Sequence, residues 1–219
     1  MKAVAAFLLW GLLFVPSKIF AADICAEYEQ HHDSNAPAAI HSEEYYLREM
    51  CENKKKALAG DVESQRWVGV YYRTEQRAHY DYAEAKKWFV MAGDKGDAFS
   101  QAELGRLYYE GKGVPRDYSL AGLWWLYAAQ RGAMDAQLGL SRLYFNGQGF
   151  TKDFVEAYFW ASVLVHNNKK TESYSDPAME AAAHPERELQ REIEKHLTTK
   201  QIADVKKRVN EWQPLKDKK

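Results

Sequence analysis

The chain has 219 residues, with 30 basic and 31 acidic side chains, a formal net charge of −1, 46% hydrophobic residues and two cysteines. A balance this close to neutral gives no electrostatic footprint for nucleic acid, which wants a strongly basic face, and no nucleic-acid partner is expected. The apolar and aromatic share is enough for one packed core, and one domain accounts for the length.

From the N-terminus, Lys2 precedes an apolar run from Ala3 to Val15, then Pro16, then the small residues Ala21 and Ala22 ahead of Asp23. This layout predicts a secretory signal peptide over residues 1–22. The apolar run is shorter than the ~20 residues a spanning helix needs, so no stable membrane insertion is expected. The expected destination is the periplasm or the exterior. Cleavage after Ala22 would put Phe20 at the minus-three position, where a small residue is preferred, so a site one residue earlier stays open. Lys2 and Lys18 are the charged residues of this segment, and without it the chain has 28 basic and 31 acidic residues, a net charge of −3.

Residues 23–59 are expected to form an N-terminal cap. Cys25 and Cys51 both lie in it, and an even pair this close in an exported protein predicts a disulfide. Ala22, Asp23 and Ile24 do not make the small-residue signal that lipoprotein processing requires, so no lipid anchor is expected. His31, His32 and His41 match no standard zinc spacing and read as exposed loop residues, so no metal is expected. Ser42 to Ala59 reads as one helix, on which the adjacent Glu43 and Glu44 point in different directions and form no catalytic carboxylate pair.

A repeat of 36 residues then superimposes, without gaps, Gly60, Gly96 and Gly132; Gln65, Gln101 and Gln137; Tyr72, Tyr108 and Tyr144; Asp81, Asp117 and Asp153; Trp88, Trp124 and Trp160. The copies span 60–95, 96–131 and 132–168, each reading as helix, tight turn, helix. In the middle copy the first helix is predicted from Ala98 to Glu110, with Ser100, Leu104, Leu107 and Tyr108 on one face. Gly111 and Gly113 supply the turn, and Asp117 stands where an N-cap belongs. Glu84 and Glu156, three residues after Asp81 and Asp153, are expected to complete capping boxes. The recurrent aspartates are therefore caps, not catalytic acids. In the second helix Ala121, Trp124 and Ala128 share a stripe, placing the Trp124 indole between small residues on the buried side.

After the repeats, residues 169–185 are polar and read as a linker. Residues 186–219 are expected to hold two capping helices and a basic tail, the last helix opened by Thr198 and Gln201 and carrying Ile202, Val205 and Val209.

The Gly111-x-Gly113-Val114-x-x-Asp117 turn, with Leu104-Gly105-x-x-Tyr108 before it and Ala121-x-x-Trp124-x-x-x-Ala128 after it, resembles the Sel-one-like repeat, a relative of the tetratricopeptide repeat. The resemblance covers residues 60 to 168. Copy one departs from it where Glu75, Gln76 and Arg77 replace the Gly-x-Gly turn, and copy three where Ser141 replaces the first-helix glycine. The fold it implies is all-α: a right-handed α-solenoid of three helix-turn-helix repeats with capping helices at both ends.

No nucleophile motif, phosphate loop or metal signature is present, and no cofactor is expected. A cysteine-rich branch of the family is associated with β-lactams, but its cysteine pair in each repeat is missing here, so a hydrolase acting on cell-wall or β-lactam substrates is disfavoured and no enzyme is expected. The resemblance places the first helices on an inner wall. Side chains there that stacking does not need are Trp67, Val70 and Arg73, then Phe99, Arg106 and Tyr109, then Arg142 and Phe145. Arginine and aromatics dominate binding hot spots, so these eight are the expected partner-binding residues. The expected partner is one protein, held by an extended or helical segment, an acidic one if it faces the three arginines. The resemblance admits an immunity protein against a secreted toxin, an envelope regulator, or a subunit of an envelope machine. A chain of three repeats is expected to be monomeric when unbound.

Overall fold

The computed structural model describes Cys25 and residues 43–75, 80–168 and 184–216. The signal segment, His31, His32, His41 and most of the 169–185 linker lie outside the described residues. The described chain is helical: α1 Glu43–Leu58, α2 Val62–Arg73, α3 Tyr82–Gly93, α4 Ala98–Glu110, α5 Tyr118–Gln130, α6 Met134–Asn146, α7 Phe154–Asn167, α8 Pro185–Glu194 and α9 Thr199–Glu211. Among the described residues there is no strand, and no helix is long and apolar enough to cross a membrane.

Two compact units divide within α1, between Glu52 and Asn53. In the first, Cys25 and Cys51 form a disulfide with Cα atoms 5.4 Å apart and a sequence separation of 26. Closing a loop of that length stabilises by about 3 kcal/mol in the chain-entropy treatment. Dithiothreitol is therefore expected to lower the stability of this unit by about that amount, read as the denaturant midpoint of the oxidised against the reduced chain.

The second unit is an α-solenoid. Within each repeat the first helix packs on the second, α2 on α3, α4 on α5 and α6 on α7, while α4 also adjoins both α2 and α6. Three devices recur at the 36-residue step. Asp81, Asp117 and Asp153 accept from the free amides that open α3, α5 and α7, as the cap pattern predicts. The backbone N–H of each aspartate donates to the carbonyl of Tyr72, Tyr108 or Tyr144, at 2.7, 2.9 and 3.0 Å. This corrects the expectation of capping boxes: the N–H that Glu84 or Glu156 would have satisfied is already taken. Glu84 pairs instead with Lys87 and Glu156 with Arg208.

The second device is a buried amide. Gln65, Gln101 and Gln137 donate through Nε2 to the carbonyls of Ala57, Gly93 and Ala129 at 2.9, 2.7 and 3.3 Å, each reaching eight residues back to the end of the preceding helix. The third is the turn. Gly111 and Gly147 take left-handed conformations that close α4 and α6. Gly113 lies so near the start of the preceding repeat's second helix that a Cβ would stand 2.6 Å from Tyr82 Cβ. Any other residue there would push neighbouring repeats apart.

The two C-terminal helices pack on α7, and Ile193, Val205 and Val209 join a core with Tyr158, Phe159 and Trp160. Thr198 and Gln201 form the capping box that opens α9. Beyond α9 the Leu215 N–H donates to the Gln130 carbonyl at 2.8 Å, laying this segment along the end of α5.

Where α7 meets α8, Glu186 is buried and accepts from Asn168 Nδ2 at 3.1 Å, with His184 Nδ1 at 3.2 Å. Burial works to raise the Glu186 pKa, but hydrogen bonds from its own backbone N–H, from His184 and from Asn168 outweigh it and hold the carboxyl below its ordinary 4.5. A depressed folded-state pKa contributes stability that is present above about 4.5 and lost as pH falls through the lower folded value. Glu186→Gln is thus expected to lower the urea midpoint at pH 7 and to shrink the further loss between pH 5 and pH 3.

Candidate binding groove

Three positions recur on one face of the first helices, one helical turn apart: 67, 103 and 139; 70, 106 and 142; 73, 109 and 145. They hold Trp67, Val70 and Arg73 on α2, Glu103, Arg106 and Tyr109 on α4, and Gly139, Arg142 and Phe145 on α6. Two cavities adjoin along this row. One, of about 290 Å³, is lined by Arg73, Glu75, Tyr82, Glu103, Arg106 and Lys112 among others. The other, of about 250 Å³, is lined by Arg106, Tyr109, Trp125, Asp135, Leu138, Gly139 and Arg142 among others.

Glu103 is the hinge of the arrangement. It is only 3% exposed, and its carboxylate meets Arg106 on one side and Arg73 Nε at 3.3 Å on the other. Two of the three arginines expected to face an acidic partner are thus already matched from within. The first cavity is rimmed by a second cluster: Tyr82 donates to the Glu75 carboxylate, and Lys112 lies 3.1 Å from Glu75 and 3.4 Å from Glu110. The hydrogen bonds from Tyr82 and then Lys112 hold the Glu75 carboxyl below the usual range. Burial, and then the bond to Glu75, push the Tyr82 phenol up.

The floor of the second cavity comes from the outer layer. Trp125 on α5 passes between α4 and α6, its Nε1 donating to the Ala102 carbonyl at 3.0 Å, its ring 5.2 Å from Tyr109. It fits because Gly105 and Gly139 flank it: a Cβ on Gly139 would lie 2.5 Å from Trp125 Cε3, and one on Gly105 would overlap Cδ1. In copy one the same slot is filled by Phe89 against Gly69. Copy three has Ala161 at that register and Ser141 facing it, the serine Oγ donating to the Ala157 carbonyl at 2.8 Å.

This corrects the placement of Trp124. Trp88 and Trp160 are buried as expected, but in copy two Trp125 enters the core, while Trp124 lines a cavity of about 600 Å³ with Tyr127, Arg131 and Leu215. Because α5 is apolar on almost every side, helical spacing could not choose between adjacent tryptophans; the glycine slot does.

Of the eight expected partner-binding residues, the structure brings Arg73, Arg106, Tyr109 and Arg142 to the two cavities. Trp67 stacks on Tyr71, Val70 is half-buried, and Phe99, 41% exposed, lies edge-on to Phe89. Phe145 is partly buried against the edge of the core, packed on Phe154 and His196. Residues the sequence reading missed are Glu103, Trp125 and Asp135. Stepping 36 from Trp67 would have reached Glu103, and the same step from Phe99 reaches Asp135. Among the described residues no cluster of three or more His, Cys, Asp or Glu side chains could hold a metal ion.

The Sel1 repeat model matches residues 62–97, 98–132 and 135–162. A Sel1 repeat protein from Oxalobacter formigenes is 32% identical over 56% of this chain and 92% of its own, with a TM-score of 0.50. The chain belongs to the Sel1 repeat family. A protective antigen of uropathogenic Escherichia coli displaying an SLR fold superimposes with a TM-score of 0.65 at 25% identity, over 87% of this chain. This Sel1 chain spans 37% of that antigen's length. No curated protein matches the chain. Sel1 repeats are protein-interaction modules, typically scaffolds without catalysis, and protein is the class of partner they suggest.

Proposed function

We propose that this Sel1 protein is exported and binds a single partner protein in the groove formed by α2, α4 and α6. The observation that carries the reading is the second cavity: an aromatic floor of Tyr109 and Trp125, with exposed Arg142 beside it, in the composition typical of hot spots. The signal-like residues 1–22 and the Cys25–Cys51 disulfide support an oxidising destination, periplasmic or extracellular. A groove across only three repeats suits one dedicated partner, and an immunity protein against a toxin is the specific form we favour; a neighbouring gene encoding a lipase, nuclease or cell-wall hydrolase is the observation that discriminates it from an envelope regulator or a subunit of an envelope machine.

The structure selects the variant for the test. Arg106 compensates buried Glu103, so replacing it also perturbs the fold, whereas Arg142 takes part in no ion pair among the described residues. Affinity capture from an envelope and supernatant extract with the oxidised chain should retain one stoichiometric partner, and Arg142→Glu should reduce that retention about tenfold without changing the thermal midpoint. Equal retention by Arg142→Glu would remove the groove from the proposal.

A further inference from the structure

We infer that the groove reads an extended protein segment carrying one apolar side chain between a basic and an acidic residue, an inference that rests on the binding reading above. Asp135 and Arg142 lie on α6 seven residues apart, two turns and about 10 Å along the helix axis. Both are exposed, and neither enters an ion pair or side-chain hydrogen bond among the described residues. The other charges of the groove are compensated: Arg73 and Arg106 meet at Glu103, and Lys112 meets Glu75 and Glu110. What remains for a ligand is one anion and one cation flanking the Tyr109 and Trp125 floor.

The cavity between them fixes the middle of the ligand. At about 250 Å³ it lies below the range of drug-sized sites, roughly 300–1,000 Å³, and suits a single leucine or phenylalanine side chain. A docked helix would need several apolar sockets at successive turns, and here the next positions along the row are Glu103 and Arg106. An extended segment advances ~3.3 Å per residue, so charges three or four residues apart span Asp135 to Arg142 with the apolar residue between them. A uniformly acidic segment would satisfy Arg142 but bring a carboxylate to Asp135, near Glu103 and Glu110.

The test uses the intact oxidised chain and four capped pentapeptides: acetyl-Lys-Ala-Phe-Ala-Glu-amide, its Lys/Lys and Glu/Glu counterparts, and the mixed-charge peptide with Ser for Phe. The reporter is the Trp125 indole N–H, followed by nitrogen–proton correlation spectroscopy as each peptide is titrated. The mixed peptide should move this resonance and bind about tenfold more tightly than either like-charged peptide, and the serine peptide should leave it unmoved. Arg142→Glu should reverse the order in favour of the Lys/Lys peptide, and Asp135→Lys in favour of the Glu/Glu peptide. An order of preference that both variants leave unchanged would overturn the inference. Should no peptide move the resonance while Arg142→Glu still reduces capture of a partner about tenfold, the charge pattern fails and the groove stands; loss of both results removes the groove as well.

Discussion

Serine in place of Gly105 is expected to lower unfolding stability by about 3 to 5 kcal/mol, the range for losing a large aromatic from a core. The added Cβ would overlap Trp125 Cδ1, and the indole has nowhere to retreat because Gly139 closes on its other face. Trp125→Ala alone should cost a similar amount by leaving an unfilled slot. The two changes together reproduce what copy three already has, Ser141 opposite Ala161, so the double variant should be distinctly more stable than the sum of the singles predicts. Urea titration of the four proteins in the cycle gives the coupling directly. Strict additivity would mean that the first-helix glycine and the outer-layer aromatic are not partners.

Replacing both Arg73 and Arg106 by methionine is expected to cost about 3 to 5 kcal/mol, because it strands the Glu103 carboxylate with almost no access to water. Each single replacement should cost much less, since the other guanidinium remains. Changing Glu103 to methionine as well should recover most of the loss, because three apolar side chains of similar length need no compensation. The triple variant then separates stability from recognition: if it folds as tightly as the wild type yet retains no partner, the Glu103 cluster serves binding.

Much of the fold was legible because its devices are local. The helix-closing glycines Gly111 and Gly147 and the aspartate caps act within a few residues of themselves, so the 36-residue step exposes them without knowledge of what packs where. What a side chain meets across repeats was not legible in the same way. Glu103 looks like one more helix-surface acid until α2 delivers Arg73 to it. Phe145 occupies the register of Arg73 and Tyr109 but packs against Phe154 and His196, the histidine brought there by the turn between α8 and α9. The choice between Trp124 and Trp125 depended on glycines of two other helices, which periodicity within α5 does not contain.

The three buried glutamines bear on how such a stack comes apart. A repeat array can fray one unit at a time when its junctions are weak. Here each junction is crossed by an amide shielded from solvent, Gln65 to Ala57, Gln101 to Gly93 and Gln137 to Ala129. Opening at any one of them exposes a donor and an acceptor that had each other, and with them the apolar faces of two neighbours. The boundaries between repeats are therefore the sutures of the array, not its fault lines, and amide exchange across residues 57 to 137 should proceed as one cooperative block rather than in three steps.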